Sequence, residues 1–326
     1  MTLHTRSVDE AARLLRAGEL VAFGTETVYG LGGDATRETS VAAIFEAKAR
    51  PAFDPLIVHL ADANLAETVT PGWTDRHAAL AERFWPGPLT LLAPRGEVIG
   101  ELVTSGLPDV ALRVPALPAT RELLAEAGRP IAAPSANLFG RVSPTTAEHV
   151  LEQLDGRIAA VFDTGPCSVG IESTVVRVPQ DPTAPLVVLR LGGVPLEEIR
   201  DAAGPAVLAD DAERGELQAV GSPGRLPKHY APQKPLRLID ADMSEADSDT
   251  GVLAFKEPPA GTWAAVEVLS SRGDLVEAAA NLFSALRRLD VSNAVTLLAE
   301  RVPEVGLGRA INDRLRRAER GSGEHR

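Results

Sequence analysis

Short apolar segments alternate with helical patterns along most of this chain, and this alternation restricts the fold more than any other feature. In the first part of the chain, strands are predicted at 20–23, 55–60, 89–93, 110–114, 131–133, 160–162, 174–178 and 186–191. Helices are predicted at 8–17, 41–49, 74–84, 118–127 and 145–154. Strands that alternate with helices indicate a layered α/β fold. Because some predicted strands follow each other directly, we expect a mixed sheet rather than a purely parallel one.

Two of the predicted helices begin with a capping box, in which a hydroxyl and an acidic side chain three residues later bond each other's backbone N–H groups. Ser7 and Glu10 open the first helix, and Gly18 ends it. Thr145 and Glu148 open the helix at 145–154 in the same way. These signals give the start of both helices from the sequence alone.

The chain changes character near residue 204. From about 204 to 235 it is rich in Ala, Gly, Pro and Asp, and its periodicity fades, which is typical of a linker. A second α/β pattern follows, with strands at 236–239, 251–255, 264–269 and 294–298 and helices at 274–289 and 309–318. We therefore predict a large domain over 1–204, a linker over 205–235 and a smaller domain over 236–326.

Composition excludes several classes of protein. A chain of 326 residues with 44% apolar residues can bury more than one core, and two domains agree with that length. The net charge of −12 and the aromatic content of 4% count against a protein that mainly coats nucleic acid. Cys167 is the only cysteine, so no internal disulfide can form. With neither a signal-like N-terminus nor an apolar run of about 20 residues, we expect a soluble cytoplasmic protein.

Several common catalytic motifs are missing from the sequence. There is no G-x-x-x-x-G-K-[ST] phosphate loop, no complete G-x-G-x-x-G fingerprint and no G-x-S-x-G nucleophile elbow. The six His residues are scattered, which argues against a dedicated zinc site. Any nucleotide chemistry must therefore use another kind of pocket.

Two polar segments of the first domain suit ligand binding. The loop 24–30 reads Gly-Thr-Glu-Thr-Val-Tyr-Gly. Its glycines let a ligand approach the backbone, and Thr and Glu can bind an amine or a hydroxyl, although an ordinary turn has the same composition. Lys48 and Arg50 precede Pro51 at a predicted helix end, where they suit phosphate groups. Cations at a helix end also simply stabilise the helix dipole.

Other polar residues end or interrupt the apolar strands. His59 ends one strand, and Arg113 and Arg190 interrupt two others, where a charge is costly unless it is paired or faces a cleft. Further polar segments read Pro-Ser-Ala-Asn at 134–137, Arg-Val-Ser-Pro at 141–144 and Glu-Ser-Thr at 172–174. Each is consistent with a binding group and with ordinary turn polarity, so none decides the function by itself.

The order of these motifs is more informative than any one of them. Along the chain they read Glu-Thr-Val-Tyr-Gly, Lys-x-Arg-Pro, Pro-Leu-Ile-Val-His, Trp-Pro-Gly-Pro-Leu-Thr, Ala-Leu-Arg-Val-Pro, Ala-Pro-Ser-Ala-Asn, Ser-Pro-Thr and Glu-Ser-Thr-Val-Val. Over about residues 7–200 this order strongly resembles the YrdC/Sua5 family of threonylcarbamoyl-AMP synthases. Ser-Pro-Gly at 222–224, His-Tyr-Ala-Pro at 229–232 and Gly-Arg-Ala-Ile-Asn-Asp-Arg-Leu at 308–315 are similar to the linker and final helix of its two-domain Sua5 type.

The resemblance implies a fold and an activity. It implies a YrdC-like twisted mixed sheet in a catalytic domain, a linker that serves as a lid, and a small Rossmann-like Sua5-type domain. The implied enzyme is a nucleotidyltransferase that joins L-threonine, bicarbonate and ATP into threonylcarbamoyl-AMP, with release of pyrophosphate. Mg²⁺ would accompany ATP, and a downstream tRNA-modifying transferase would accept the product. Contact with tRNA would be weak or absent, and there would be no contact with membranes.

The resemblance also implies roles for individual residues. Lys48 and Arg50 would be catalytic and hold the ATP phosphates. The other residues implied at the nucleotide site are Asp54, Asp109, Ser135, Asn137, Ser143, Arg190 and Tyr230. Those implied for threonine are Thr27, His59, Arg113 and Ser173, with Arg113 as the natural partner of the carboxylate. No metal ligand is implied.

The sequence departs from the family pattern at two places. Asp54 stands where the family usually has Asn, and a carboxylate there repels phosphate unless it meets Mg²⁺ or a sugar hydroxyl. Arg190 is followed by Leu-Gly where the family usually has Pro-Gly.

Two other functions stay open. One is a carbamoyl-adenylate transferase on the same fold, although the chain lacks the paired cysteines of the zinc-finger modules in those relatives. The other is an RNA- or tRNA-binding module, against which the net charge counts.

Overall fold

The computed structural model describes residues 1–51, 54–209, 230–240 and 247–322. These residues form two compact units. The first comprises 1–51, 54–139, 144–167 and 172–209, and the second comprises 140–143, 168–171, 230–240 and 247–322. In this described part, no helix combines the length and the apolar character that crossing a membrane requires.

An eleven-stranded mixed sheet forms the centre of the first unit. Its strands are β1 Leu3–Thr5, β2 Val21–Phe23, β3 Gly30–Asp34, β4 Ile57–His59, β5 Leu89–Pro94, β6 Asp109–Arg113, β7 Ile131–Ala132, β8 Ala160–Phe162, β9 Thr174–Arg177, β10 Leu186–Arg190 and β11 Ala206–Leu208. They lie in the order β1-β8-β2-β3-β7-β4-β6-β5-β9-β10-β11. Pairs such as β4–β6 are parallel, whereas β5–β6 and β9–β10 are antiparallel. The predicted mixed sheet is therefore confirmed.

Helices cover both faces of this sheet. They are α1 Val8–Ala17, α2 Glu38–Lys48, α3 Ala66–Val69, α4 Asp75–Phe84, α5 Glu101–Thr104, α6 Pro118–Ala127, α7 Ala147–Leu154 and α8 Leu196–Ala203, and Ala63–Leu65 forms a 3₁₀ turn. Side chains alternate between faces along a strand. Val21 and Phe23 of β2 accordingly pack with α1 and α6, whereas Ala22 packs with α2 in the larger core.

The second unit contains a four-stranded parallel sheet. Its strands are β12 Leu236–Ile239, β13 Thr250–Ala254, β14 Ala265–Val268 and β15 Thr296–Glu300, in the order β12-β15-β13-β14. Its helices are α9 Leu275–Asp290 and α10 Gly308–Ser322. Asp274 caps α9 by accepting hydrogen bonds from Val276 N at 2.7 Å and Glu277 N at 3.2 Å. The smaller α/β domain predicted from the sequence is confirmed in its architecture.

The predicted capping boxes form only in part. Ser7 Oγ accepts from Glu10 N at 3.3 Å, but the Glu10 carboxylate accepts from Thr5 Oγ1 instead of closing the box. The second prediction was wrong by one residue, because Thr146 rather than Thr145 caps α7. The Thr145 carbonyl accepts from Cys167 N, which holds Thr145 in the preceding extended segment.

Three strands, β1, β3 and β11, lie where none was predicted. β3 is rich in glycine because it packs closely against the Phe23 side chain of β2. A Cβ on Gly32 would lie 2.5 Å from Phe23 Cε1. β11 falls inside the predicted linker, but its residues 206–208 pair in parallel with β10 and so extend the sheet. Residues 210–229 of the predicted linker lie outside the described residues, and 230–235 belong to the second unit.

Candidate active site

Polar residues form a continuous row across neighbouring strands of the first unit. His59 and Arg113 are the last residues of β4 and β6, and they face each other in register. On the other side of β6, Leu112 pairs with Leu91 of β5, next to Thr90. Thr90 pairs with Val175 of β9, which also pairs with Arg190 of β10. The alignment of five strands therefore brings His59, Arg113, Thr90 and Arg190 to the same end of the sheet.

Arg113 is held in place from three directions. Its Nε donates to the Gly87 carbonyl at 3.1 Å, Nη1 donates to Thr27 Oγ1 at 2.9 Å, and Nη2 donates to Glu26 Oε1 at 2.7 Å. Glu26 and Arg113 are both buried, so the pair compensates two charges that would each be costly alone. The guanidinium has five N–H groups, so two remain that the described residues do not use.

The Trp-Pro-Gly-Pro-Leu-Thr segment supplies part of this arrangement. Gly87 lies so close to α4 that a Cβ there would be 2.2 Å from the Phe84 carbonyl oxygen. Its N–H donates to Val114 O at 2.9 Å, and its carbonyl accepts from Arg113. A glycine is needed at this position because only glycine allows the backbone to approach both α4 and the end of β6.

Ser173 lies at the centre of a second group of polar side chains. Its Oγ is 2.7 Å from Thr90 Oγ1 and accepts from Arg190 Nη2 at 3.1 Å, while Arg190 Nε donates to the Ser173 carbonyl. Gly192 packs against the same backbone, since a Cβ there would lie 2.4 Å from Ser173 C. Arg190, which the resemblance assigns to the nucleotide, thus directly contacts Ser173, which it assigns to threonine.

His59 is buried beside Arg113. Burial and, to a smaller extent, the charge of Arg113 lower the pKa of His59 to about 3. The edge of the Phe23 ring packs on the imidazole, with ring centroids 6.0 Å apart. His59 is therefore a neutral hydrogen-bonding group at any pH near neutrality and is suited to binding rather than to acid catalysis.

Lys48 and Arg50 lie on either side of a strained residue. Ala49 ends α2 with φ at 49°, in the left-handed region that non-glycine residues disfavour. Lys48 Nζ donates to the carbonyls of Ser135 and Asn137. Burial and the nearby charge of Arg50 hold the pKa of the Lys48 amine well below its usual range. Lys48 therefore fixes the loop 134–137 in place.

Arg50 is paired with the residue that departs from the family pattern. Its Nη2 lies 2.8 Å from Asp54 Oδ2, and its Nε donates to the Asp54 carbonyl. Both side chains are buried, so the pair again compensates two charges. The Asp54 carboxylate therefore compensates the positive charge of Arg50.

The loop 24–30 connects the two groups of predicted residues. Glu26 and Thr27 contact Arg113 in the row of strand ends. Further along the loop, Gly30 bridges to Ser135, and the Tyr29 carbonyl accepts from Ala136 N at 2.8 Å. The first unit thus brings together, in one connected set, the predicted residues Thr27, Lys48, Arg50, Asp54, His59, Arg113, Ser135, Asn137, Ser173 and Arg190.

Asp109, Ser143 and Tyr230 are the other predicted nucleotide residues. Asp109 begins β6 and Arg113 ends it, so the two are about 13 Å apart along the strand. Asp109 lies near Arg177 and His77, and burial raises the pKa of its carboxyl group. The implied nucleotide role of Asp109 stays a prediction. Ser143 and Tyr230 belong to the second unit.

Tyr230 is built into the core of the second unit. Its side chain is 2% exposed, and its ring stacks on Phe283 of α9 with centroids 5.4 Å apart. Arg314 of α10, which is fully buried, lies over the ring with Cζ 5.6 Å from the centroid. Tyr230 also has φ at 63°, which shows that the fold requires this conformation.

The residue roles implied by the resemblance do not include Glu26, Gly87 and Thr90, although the sequence analysis noted that the Glu of the loop 24–30 could bind an amine or a hydroxyl. All three stand inside motifs that the sequence analysis quotes. Their partners are remote in the chain, however: Glu26 and Arg113 are separated by 87 positions. Their roles depend on contacts that only the folded chain contains.

Comparison with known families agrees with this arrangement. The family model Sua5_yciO_yrdC, described as "Telomere recombination", matches residues 13–192. The chain belongs to the Sua5/YrdC family. A second model, described as "Threonylcarbamoyl-AMP synthase, C-terminal domain", matches residues 194–319. The predicted membership of the two-domain Sua5 type is therefore confirmed.

Individual members of the Sua5/YrdC family match along nearly the whole chain. The threonylcarbamoyl-AMP synthase of Pyrococcus abyssi is 41% identical over 317 residues, which cover 94% of this chain and 92% of that protein. The threonylcarbamoyl-AMP synthase of Bacillus subtilis is 41% identical over 324 residues, with coverage of 95% and 92%. The crystal structure of P. abyssi Sua5 complexed with L-threonine has a TM-score of 0.88 and 38% identity, covering 99% of this chain and 98% of that one.

Proposed function

We propose that this protein is a threonylcarbamoyl-AMP synthase. The observation that carries the proposal is the match, over nearly the full length of the chain, with enzymes of that name. A relative with the same fold was crystallised with L-threonine. The buried Arg113, two of whose N–H groups have no acceptor among the described residues, is the kind of partner that an amino-acid carboxylate needs.

Threonine would bind in the row of strand ends. Arg113 takes the carboxylate, while Thr27, Ser173 and the neutral His59 offer hydrogen bonds to the hydroxyl and the amine. Because Arg113 and Ser173 are fixed by protein contacts before the substrate arrives, little ordering remains to be done on binding. This arrangement favours a zwitterionic ligand.

ATP would bind next to the loop 134–137. Lys48 and Arg50 hold the phosphates, Arg190 and Asp54 stand at the edge, and the remaining contacts within the first unit come from Ser135 and Asn137. Both Lys48 and Arg50 donate to backbone oxygens, and phosphate oxygens would replace some of these acceptors. Asp109 is not included, because it lies at the other end of β6 from Arg113.

The chemistry follows from these positions. The amine nitrogen of threonine forms a bond to the carbon of bicarbonate, water leaves, and a carbamate results. A carbamate oxygen then attacks the α-phosphorus of ATP, and the bond from that phosphorus to the bridging oxygen breaks as pyrophosphate leaves. No covalent enzyme intermediate is needed. The protein contributes by aligning the two substrates and stabilising phosphate charge.

Magnesium would enter with ATP, since Mg²⁺ is commonly bound by substrate phosphates together with one or two carboxylates. Asp54 is a carboxylate in direct contact with one of the phosphate-binding residues, since its Oδ2 lies 2.8 Å from Arg50 Nη2. In the described ranges, no group of three or more His, Cys, Asp or Glu side chains forms a site that could hold a metal. Bound Mg²⁺ would neutralise phosphate charge, and Lys48 and Arg50 would orient the phosphates.

The product fits a place in tRNA modification. Threonylcarbamoyl-AMP is an activated acyl donor, and its use requires a transferase that moves the acyl group to an adenosine of tRNA. We propose that the enzyme acts in the cytoplasm and hands its product to such a transferase without itself binding tRNA strongly, in keeping with its charge of −12.

Pyrophosphate release from ATP and Mg²⁺ tests the proposal. Threonine and bicarbonate are each omitted in turn, and serine and carbamoyl phosphate are supplied as alternatives. We expect release only when threonine and bicarbonate are both present, with serine a poor substitute. Release driven by carbamoyl phosphate would instead favour a carbamoyl-adenylate transferase, and release that needs neither compound would overturn the assigned substrates.

A further inference from the structure

The loop 24–30 contains a buried acid to which the proposed chemistry assigns no role. Glu26 is 6% exposed, and both of its carboxylate oxygens accept hydrogen bonds. Oε1 accepts from Arg113 Nη2 at 2.7 Å, and Oε2 accepts from Ala116 N at 3.0 Å. Glu26 therefore joins its own loop to the end of β6 and to the segment that leads into α6.

These contacts determine which way Arg113 points. The guanidinium is planar, and Glu26, Thr27 and Gly87 each accept from a different nitrogen of it. A planar group held at three nitrogens cannot rotate, so the direction of its two unused N–H groups is fixed as well. Of these three acceptors, Glu26 is the only one that carries a charge.

We propose that Glu26 is a positioning residue that orients Arg113 towards the carboxylate of threonine. The inference rests on the proposed function, because it takes threonine as the ligand of Arg113. Glu26 does not touch the substrate. It acts by holding Nη2 and by anchoring itself on Ala116 N, so that the guanidinium is already aligned when the substrate arrives.

A glutamine at this position cannot do the same. Two donors, Arg113 Nη2 and Ala116 N, meet the two oxygens of Glu26, whereas a glutamine has one oxygen and one NH₂ group. One of the two buried donors would lose its acceptor in Glu26→Gln. The side chain would also carry no charge to balance Arg113, so the guanidinium would be free to leave its alignment.

The test compares L-threonine with L-threonine amide, which lacks the carboxylate charge. For each variant, kcat/KM in pyrophosphate release is measured with both compounds, and their ratio reports recognition of the carboxylate. We expect the ratio to fall by about 10- to 100-fold in Glu26→Gln, the range for a hydrogen bond to a charged group. A merely structural defect would lower both values and leave the ratio unchanged.

Asp34→Asn serves as the matched control. Asp34 is another buried carboxylate of the same sheet, and it accepts from Arg129 Nη1 at 2.7 Å and from Thr36. Asp34→Asn should lower the thermal midpoint of unfolding without changing the ratio of kcat/KM for L-threonine to kcat/KM for L-threonine amide.

If Glu26→Gln fails to fold, Glu26→Asp takes its place. It keeps the charge but is one methylene shorter, so it cannot reach both donors, and a smaller fall in the ratio is expected.

The outcomes separate the inference from the proposed function. If the wild-type protein uses threonine and the ratio is unaltered in the Glu26 variants, the positioning role is refuted while the proposed function stands. If the wild-type protein releases no pyrophosphate in response to threonine, the proposed function fails and the inference fails with it. A fall in the ratio that Asp34→Asn also shows would likewise refute a specific role for Glu26.

Discussion

At the scale of single residues, the candidate site is a set of buried charges that the protein itself compensates. Arg113 is paired with Glu26, and Arg50 is paired with Asp54. Removing one member of a buried pair leaves the other charge uncompensated, which typically costs about 3–5 kcal/mol of stability. A loss of activity at these positions therefore has to be separated from a loss of folded protein.

Lys48 and Arg50 can be tested in this way. We expect Lys48→Ala and Arg50→Ala each to lower turnover at least ~100-fold, the order found when one charge-stabilising donor is removed. Turnover is measured as pyrophosphate release at saturating ATP, on protein shown to be folded by its thermal midpoint. Near-normal turnover in both variants would contradict the roles assigned to these cations.

Lys234→Ala is the control for these two variants. Lys234 also donates to two backbone carbonyls, those of Leu289 and Ser292, but it belongs to the second unit. Its loss should lower stability and leave turnover unchanged. An equal loss of turnover in Lys234→Ala would show that breaking such carbonyl contacts, rather than removing a phosphate ligand, explains the effect of Lys48→Ala.

The lowered pKa of His59 predicts how the stability of the folded protein depends on pH. Its pKa is lowered to about 3 in the folded protein, whereas an unfolded chain has a value near 6.5. The unfolded state therefore binds the proton first as pH falls, and stability that is complete above about pH 6.5 is lost towards pH 3. The loss approaches about 1.4 kcal/mol per pH unit.

Urea unfolding of wild type and His59→Gln between pH 7 and pH 5 measures this effect. The free energy of unfolding should fall less steeply with pH in the variant, because the titrating group is gone. The pKa of His77 is lowered too, but His77 remains in both proteins and cancels in the difference. Equal pH slopes for the two proteins would mean that His59 does not remain neutral in the fold.

At the scale of helices and strands, the sequence predicts the elements that have strong local patterns. α1, α4 and α6 carry clear apolar periodicity and end signals, and their observed bounds lie within a residue of those predicted. β3 was missed because its glycines serve contacts with β2 rather than a local pattern. β11 was missed because its three residues become a strand only by pairing with β10.

Gly192 tests how closely the segments around the site must pack. A Cβ at this position would lie 2.3 Å from the Glu172 carbonyl oxygen and 2.4 Å from Ser173 C. Gly192→Ala should therefore displace Ser173, lower the free energy of unfolding by about 1–3 kcal/mol and raise KM for threonine. Gly100→Ala is the control, since no atom lies within 4 Å of a Cβ there. Comparable effects in both variants would refute this account of Gly192.

At the scale of the whole molecule, the sequence predicts two α/β units with a different segment between them, and the structure has two such units. Motif order also identified most of the residues that the first unit brings together. It could not show that Asp109 lies at the far end of the strand that carries Arg113, because a resemblance transfers residue identities and not positions. Nor could it show the core contacts of Tyr230.

Tyr230 is expected to matter first for the stability of the second unit. Tyr230→Ala removes a ring that stacks on Phe283 and lies under Arg314, and a truncation of this size costs about 3–5 kcal/mol. Tyr230→Phe keeps the ring and both of these contacts, so it should cost less than Tyr230→Ala. Denaturant unfolding measures both values. Equal stability of Tyr230→Ala and wild type would contradict a core role.

The central claim is that one active site joins threonine, bicarbonate and ATP. Its most direct test is to incubate the protein with ATP, Mg²⁺, L-threonine and ¹³C-bicarbonate and to analyse the nucleotides by mass spectrometry. The account predicts a nucleotide with the mass of threonylcarbamoyl-AMP that contains one ¹³C atom and whose formation matches pyrophosphate release. Pyrophosphate release without incorporation of the label, or a labelled product without threonine, would contradict it.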